Sequence, residues 1–249
     1  TEFLNLPKSL SCYGFPIREY DNKIPSDLTA EQILIRSGNI GSVRIAQKIG
    51  PEKFKSFLEK LGILSQITFD IEEVAPQKNY EFGKCKLATA SYGHGIATTI
   101  LQLAKGYAIL SNGGFEINPT LIIKNSKKNT KRDRLLNKGV SEQVVSALRK
   151  IVSTEEGTAK FANVPNYEIG GKTGTADKVL DGVYSEGKVN TFASIFPTSK
   201  PTFVFVVMLD GPKKSKDYYY KYRHRKGGWK GTYKNSAGWT SVEVVGKVI

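Results

Sequence analysis

Apolar positions recur at helical spacing through most of the first 112 residues and gather into strand-like runs later. Residues 1 to 28 read as irregular, punctuated by Gly14, Pro16 and Pro25. Thr29 and Gln32 have capping-box spacing ahead of the apolar run Ile33-Leu34-Ile35, so each side chain can satisfy a free N–H at a helix start. Arg36-Ser37-Gly38-Asn39 breaks the pattern, and Ile40, Val43, Ala46 and Ile49 resume it on one face. Gly50-Pro51 closes that helix and opens another, with the stripe Phe54, Phe57, Leu58 and Leu61 and a C-terminal Gly62. Residues 63 to 97 read mostly as loop, including Ser91-Tyr92-Gly93-His94-Gly95. Thr99 and Gln102 form a second capping box, and the helix they open ends at Asn112-Gly113-Gly114.

A strand is predicted from Phe115 to Ile123, and Ser141 is predicted to cap a helix carrying Val144, Val145, Leu148, Ile151 and Val152. Strands follow at 167–175, 190–196 and 202–209. The last is a continuous apolar run, as expected for a strand buried on both faces. A polar, aromatic and basic insertion covers about 211 to 236, and a helix from Ala237 packs back on the sheet. The insertion from Lys213 to Lys234 has few apolar anchors and dense like charge, so it is expected to be mobile. Short links between the late strands imply antiparallel pairing, hence an α+β layout of helices around an antiparallel sheet.

The 249 residues carry a formal net charge of +14, which favours anionic company. Much of the excess is local, in one cluster from Lys124 to Lys138 and another from Lys213 to Lys234. Without a recognised reading element, this charge does not argue for nucleic acid. No apolar run is long enough to span a bilayer. The ends, Thr1-Glu2-Phe3-Leu4 and the apolar run to Ile249, read as cuts. Cys12 and Cys85 could pair, but two cysteines fix no framework. With His94 and His224 the only histidines, a zinc site is not expected.

The stretch Gly170-Gly171-Lys172-Thr173-Gly174-Thr175 stands out. Absent side chains let a ligand or another backbone approach, Lys172 adds positive charge, and two threonines add hydroxyls. Such a surface suits an extended anionic ligand. Taken alone, Lys-Thr-Gly reads more readily as a Gly-rich edge strand with a solvated lysine; the flanking glycines and the following threonine narrow that margin.

Ser37-Gly38-Asn39 on an inter-helix turn, followed by Lys172-Thr173-Gly174 on a strand, resembles two of the three signatures of penicillin-binding transpeptidases and serine β-lactamases. Ser91-Tyr92-Gly93-His94-Gly95-Ile96 through Ala104, Glu156-Gly157-Thr158-Ala159 and Ala237-Gly238-Trp239 look like the class B, division-type enzymes. The resemblance covers nearly the whole chain. It implies a β-lactamase/transpeptidase-like α+β fold, with an antiparallel sheet flanked by helices and a helical subdomain. Residues 1–249 would then form one incomplete transpeptidase domain, mainly helical over 29–112 and mainly sheet over 115–249. The third signature, Ser-x-x-Lys at the start of a helix, should precede Ser37, and residues 1 to 36 hold no candidate. Ser185-Glu186-Gly187-Lys188 fits by letter only, in an expected turn with no helix behind it. The nucleophile is expected outside this sequence.

The resemblance implies a D,D-transpeptidase cross-linking peptidoglycan during division. Its ligands would be stem peptides and β-lactams, division proteins are possible partners, and no metal or cofactor is required. It would work on the periplasmic side of a bacterial inner membrane, anchored by a segment outside this chain. Ser37 would relay a proton, Asn39 would hold the nucleophile's lysine or the substrate amide, and Lys172 would keep the site positive. Thr173 and Thr175 would bind the substrate carboxylate. Gly174 would leave the strand face open, and the Thr175 N–H would supply half of an oxyanion hole. Ser37 and Lys172 would then lie roughly 3 to 5 Å apart. Tyr92, His94, Trp229 and Trp239 read chiefly as packing residues, and Tyr218 to Tyr220 as a rim loop. The competing reading is a non-catalytic penicillin-fold binding or sensor module.

Overall fold

The computed structural model describes residues 1–67, 69–70, 80–123, 132–180, 183–213 and 234–249. The basic residues from Lys124 to Lys131 and from Lys214 to Lys230 lie outside these, as do Tyr218 to Tyr220, His224, Trp229 and most of the insertion. The chain divides into two compact units, Thr1–Ala147 and Leu148–Ile249.

The first unit opens with four short strands rather than the irregular segment expected. β1 (Glu2–Phe3) pairs antiparallel with β4 (Leu28–Thr29), and β2 (Ser9–Cys12) with β3 (Phe15–Arg18). Runs of two to four residues are too short to print a period-2 pattern. α1 (Ala30–Arg36) is opened by the capping box: Thr29 Oγ1 accepts from Gln32 N–H and Gln32 Oε1 from Thr29 N–H. α2 (Asn39–Ile49) buries Ile40, Val43 and Ala46, but Ile49, its last residue, is exposed. α3 (Pro51–Lys60) begins on proline and ends before Gly62, whose φ of +77° suits glycine.

The expected loop over 63–97 contains a helix, α4 (Lys84–Ala90). It is seven residues, about two turns, without a side-chain cap, so no start signal marks it. Leu87 and Ala90 pack with Ala46 and Phe82, and Ala88 with Ile17, Ile40 and Val43. Cys85 on α4 and Cys12 on β2 form a disulfide, with Cα atoms 5.6 Å apart. It ties the hairpin to the helices across 73 positions of sequence. Tyr92 packs on the same cluster and against His94, as a loop-packing residue would.

α5 (Ile100–Ser111) carries the second capping box and ends at Asn112 as predicted. The strand predicted from Phe115 to Ile123 does not form: Phe115 makes one isolated bridge to Arg134, and Leu121, Ile122 and Ile123 are exposed. α6 (Lys138–Ser153) starts before Ser141. Asn137 caps it by accepting from Gly139 N–H at 2.8 Å. Ser141 lies inside the helix, where its hydroxyl donates to Leu110 C=O and accepts from Gly113 N–H. It therefore ties α6 to the end of α5 instead of capping.

In the second unit β5 (Gly170–Leu180), β6 (Val183–Phe196) and β7 (Phe203–Asp210) form an antiparallel sheet in that order. α7 (Ser241–Val248) packs on β6 and β7, burying Val242 and Val245. β7 is not buried on both faces: Phe203, Met208 and Asp210 are exposed and the rest is half-buried. An uninterrupted apolar run therefore misjudged a strand that lies at the sheet's edge among the described residues.

Replacing both cysteines by serine should lower the unfolding free energy by about 2 to 5 kcal/mol, the usual cost of removing a native disulfide. Guanidinium unfolding of the variant beside the parent chain measures this, and an unchanged midpoint contradicts it.

Candidate functional site

Two groups of predicted residues lie one in each unit. In the first, Ser37 ends α1 in the left-handed conformation, φ +57° and ψ +43°. A non-glycine residue adopts that backbone at a cost of about 1 to 2 kcal/mol, so its surroundings must fix it. Its own N–H and that of Gly38 donate back to Leu34 and Ile33 carbonyls of α1. Ser42 donates its hydroxyl to Gly38 C=O at 2.7 Å. The Asn39 amide donates through Nδ2 to Arg18 C=O at 2.9 Å, which leaves Oδ1 as the part of the amide this bond does not use. α2 begins at Asn39 without a cap from its own N-terminal residue, Gly38. Glu19 supplies the acceptor, taking Asn39 N–H at 2.6 Å and Ile40 N–H at 3.0 Å. Sequence reasoning missed Glu19, because a cap from about twenty positions upstream leaves no local spacing signal.

In the second unit β5 carries Lys172, Thr173, Gly174 and Thr175. The three glycines do different work. A Cβ on Gly170 would lie 2.8 Å from Thr198 Cγ2 and 3.0 Å from Arg149 N, against α6. A Cβ on Gly171 would lie 2.6 Å from Ala193 O and from the Phe192 ring. Both positions are closed by the protein itself, so their bareness serves packing rather than a ligand. Only Gly174 is exposed, and a Cβ there would meet nothing nearer than 3.9 Å. Arg149 on α6 holds the strand's entry, donating to Ile169 C=O at 2.8 Å and to Asn163 Oδ1 at 3.0 Å.

Register decides where the β5 backbone points. Gly211 N–H donates to Lys188 C=O at 2.8 Å, so the Lys188 backbone faces β7. Direction alternates along an antiparallel strand. Val189, Thr191 and Ala193 therefore face β5 and bond with their partners Ala176, Gly174 and Lys172. The intervening Gly171, Thr173 and Thr175 turn their N–H and C=O groups away from β6, along an edge that pairs with no other strand among the described residues. The Lys172 ammonium donates to one of these outward carbonyls, Thr173 C=O, at 3.0 Å.

The threonine hydroxyls are positioned from behind. Thr173 Oγ1 lies 2.8 Å from Thr158 Oγ1, and Thr175 Oγ1 accepts from Ala237 N–H at 2.9 Å, leaving its own proton to donate. The Trp239 ring meets Phe161 edge-on at 5.3 Å, a packing contact as expected. Thr158 lies in a run singled out in the sequence without a role, and only the fold places it beside Thr173. Lys172 as a whole residue is half-buried, but its ammonium group is desolvated, and burial pulls its pKa from 10.5 down to about 8.

Ser185 is in β6, not in a turn, and begins no helix. Its hydroxyl donates to Lys178 C=O at 3.0 Å, and Lys188, the lysine of the letter match, is ion-paired with Asp177 instead of serving it as a base.

The penicillin binding protein transpeptidase domain family matches residues 6–226. A peptidoglycan D,D-transpeptidase FtsI homolog from Mesostigma viride is 33% identical over 220 residues, 75% of this chain and 36% of that protein. The transpeptidase domain of Burkholderia pseudomallei penicillin-binding protein 3 superposes with a TM-score of 0.75 at 26% identity, covering 85% of this chain and 64% of that one. Penicillin-binding protein 3 from Mycobacterium tuberculosis, complexed with aztreonam, shares the fold, with a TM-score of 0.77 at 23% identity over 99% of this chain and 56% of that one. The chain thus spans about a third of the length of the curated relatives it matches.

Two outcomes follow from this geometry. Gly171→Ala should destabilise the chain by about 1 to 3 kcal/mol through overpacking, whereas Gly174→Ala should be neutral or slightly stabilising; thermal unfolding of both variants distinguishes them. Lys172 should also shape the pH dependence of stability. Below pH 8 both states carry its charge, and the folded state bears the desolvation cost. Between about pH 8 and 10.5 the folded state releases the proton first, so stability rises with pH and then levels off. Lys172→Met should lack that rise when the two unfolding curves are compared pH by pH.

Proposed function

The chain belongs to the penicillin-binding protein transpeptidase domain family, and on that premise we propose that it is part of a peptidoglycan D,D-transpeptidase of cell division. The observation that carries this reading is the β5 edge. A desolvated lysine, two braced hydroxyls, an open glycine and outward N–H groups line one strip of it.

The reaction is acyl transfer through a serine ester. The serine oxygen bonds to the penultimate D-alanine carbonyl of a stem peptide. The C–N bond to the terminal D-alanine breaks, and its nitrogen takes a proton. The amine of a second stem peptide then attacks the ester: a new amide C–N bond forms, the ester C–O bond breaks, and a proton from the amine returns to the serine oxygen. The Thr175 N–H stabilises the oxyanion, and Thr173 and Thr175 hydroxyls hold the terminal carboxylate. Lys172 keeps the strip positive, and Gly174 admits the substrate backbone. Ser37 passes the proton to the departing nitrogen, and Asn39 Oδ1 accepts from the nucleophile's lysine or the substrate amide. A β-lactam follows the same first step and stays attached. The nucleophilic serine and its lysine belong to a Ser-x-x-Lys helix in sequence outside these 249 residues.

We place this activity on the outer face of a bacterial inner membrane, with the anchor and contacts to division proteins elsewhere in the polypeptide. No helix among the described residues is long and apolar enough to cross a membrane. The Cys12–Cys85 disulfide supports an oxidising compartment.

The 249-residue chain incubated with a reporter penicillin should show no adduct by intact-mass measurement. The longer polypeptide that restores Ser-x-x-Lys should gain one drug mass. An adduct mapped to a serine of the short chain, or none on the longer one, overturns the reading, and the second result favours the binding-module alternative. In the longer polypeptide Thr175→Pro should acylate about a hundredfold more slowly than Thr175→Ala. Proline lacks the oxyanion donor, while the outward N–H is not a ladder group.

A further inference from the structure

The tripeptide Arg18-Glu19-Tyr20, at the end of β3 and just beyond it, meets the Ser37 turn at Arg36, Asn39 and Ile40. Tyr20 donates its hydroxyl to Arg36 C=O at 2.8 Å. The Arg18 carbonyl accepts from the Asn39 amide at 2.9 Å. The Glu19 carboxylate accepts from both Asn39 N–H and Ile40 N–H. Its oxygens would also lie 3.6 and 3.8 Å from a Cβ at Gly38. Burial, reinforced by Asp21 and Glu19, raises the Tyr20 pKa, so its hydroxyl keeps its proton and remains a donor.

We propose that Glu19 is the positioning residue of the Ser37–Asn39 turn, and that Tyr20 and Arg18 complete the clamp; the inference rests on the transpeptidase reading. Ser37 occupies a left-handed conformation that it would leave if unconstrained. Its carbonyl side leads into α2, whose first N–H groups have no cap from Gly38. A carboxylate bridging two successive N–H groups fixes the start of α2, through charge-assisted bonds and the helix dipole. Tyr20 fixes the other side, at the last carbonyl before Ser37. The Arg18 carbonyl commits the Asn39 Nδ2 group, so the amide presents Oδ1 in one orientation. Glu19 thus acts through Ser37 and Asn39 and touches no substrate atom.

The test has two parts. In the 249-residue chain, amide exchange at Asn39 and Ile40 should be about tenfold faster or more in Glu19→Gln, since one of the two accepting oxygens becomes an NH2 donor and the carboxylate charge is lost. Exchange at the α2 interior should not change. In the longer polypeptide, Glu19→Gln should slow acylation by a reporter penicillin about tenfold to a hundredfold, the usual effect of a small misplacement. Tyr20→Phe, which preserves the ring and its packing, should slow it less. Glu19→Asp, which keeps a carboxylate, should recover part of the rate. With Ser37→Ala and Asn39→Ala already present, Glu19→Gln should add less than about twofold, because Glu19 acts through those two residues. Equal losses in both backgrounds, or unchanged exchange at Asn39 and Ile40, overturn the proposal. If Ser37→Ala leaves acylation unchanged, the transpeptidase site assignment fails. If Ser37→Ala is slow and Glu19→Gln is not, only the role of Glu19 fails.

Discussion

The pairing of β5 with β6 is the constraint on which the second unit depends. Gly170 and Gly171 let β5 lie against α6, Ala193 and Phe192 at distances no side chain would permit. That seating fixes the register, and the register decides which backbone groups point outward. A slip of one residue would turn the N–H groups of Thr173 and Thr175 into the sheet. It would also move Thr173 away from Thr158 and Thr175 away from Ala237. Packing and chemistry are thus set by the same few contacts, with Arg149 holding the strand's entry.

The first unit solves a different problem. Its candidate residues are on a turn, where backbone freedom is high and Ser37 must hold a costly conformation. The restraint comes from a distant segment, the Arg18-Glu19-Tyr20 clamp, rather than from the turn's own sequence. The disulfide further ties the β2–β3 hairpin, which ends at Arg18, to α4. A left-handed serine and an outward threonine amide are both local backbone states imposed by tertiary contacts.

Much of this was legible in the sequence where one interaction dominates over a short span. The capping boxes at Thr29 and Thr99, the proline start at Pro51 and the glycine stop at Gly62 depend on neighbours within a few residues. Failures came where distant contacts decide. Phe115 to Ile123 has strand-forming residues but finds no strand partner among the described residues. Ser141 has a cap's chemistry, yet its hydroxyl is engaged by the end of α5. Gly170 and Gly171 looked like part of a bare ligand face, and only their neighbours reveal them as packing residues. The residue types of the candidate site were readable; Glu19 and Thr158, which hold them, were not.

The central claim is that the β5 edge receives the acyl group in a serine-ester reaction. A crystal structure of the longer polypeptide, acylated by a β-lactam, tests it most directly. The ester carbonyl oxygen should lie within about 3 Å of the Thr175 N–H. The drug carboxylate should lie on the hydroxyls of Thr173 and Thr175. An adduct whose carbonyl and carboxylate both lie away from β5, with the Thr175 N–H left to solvent, would contradict it.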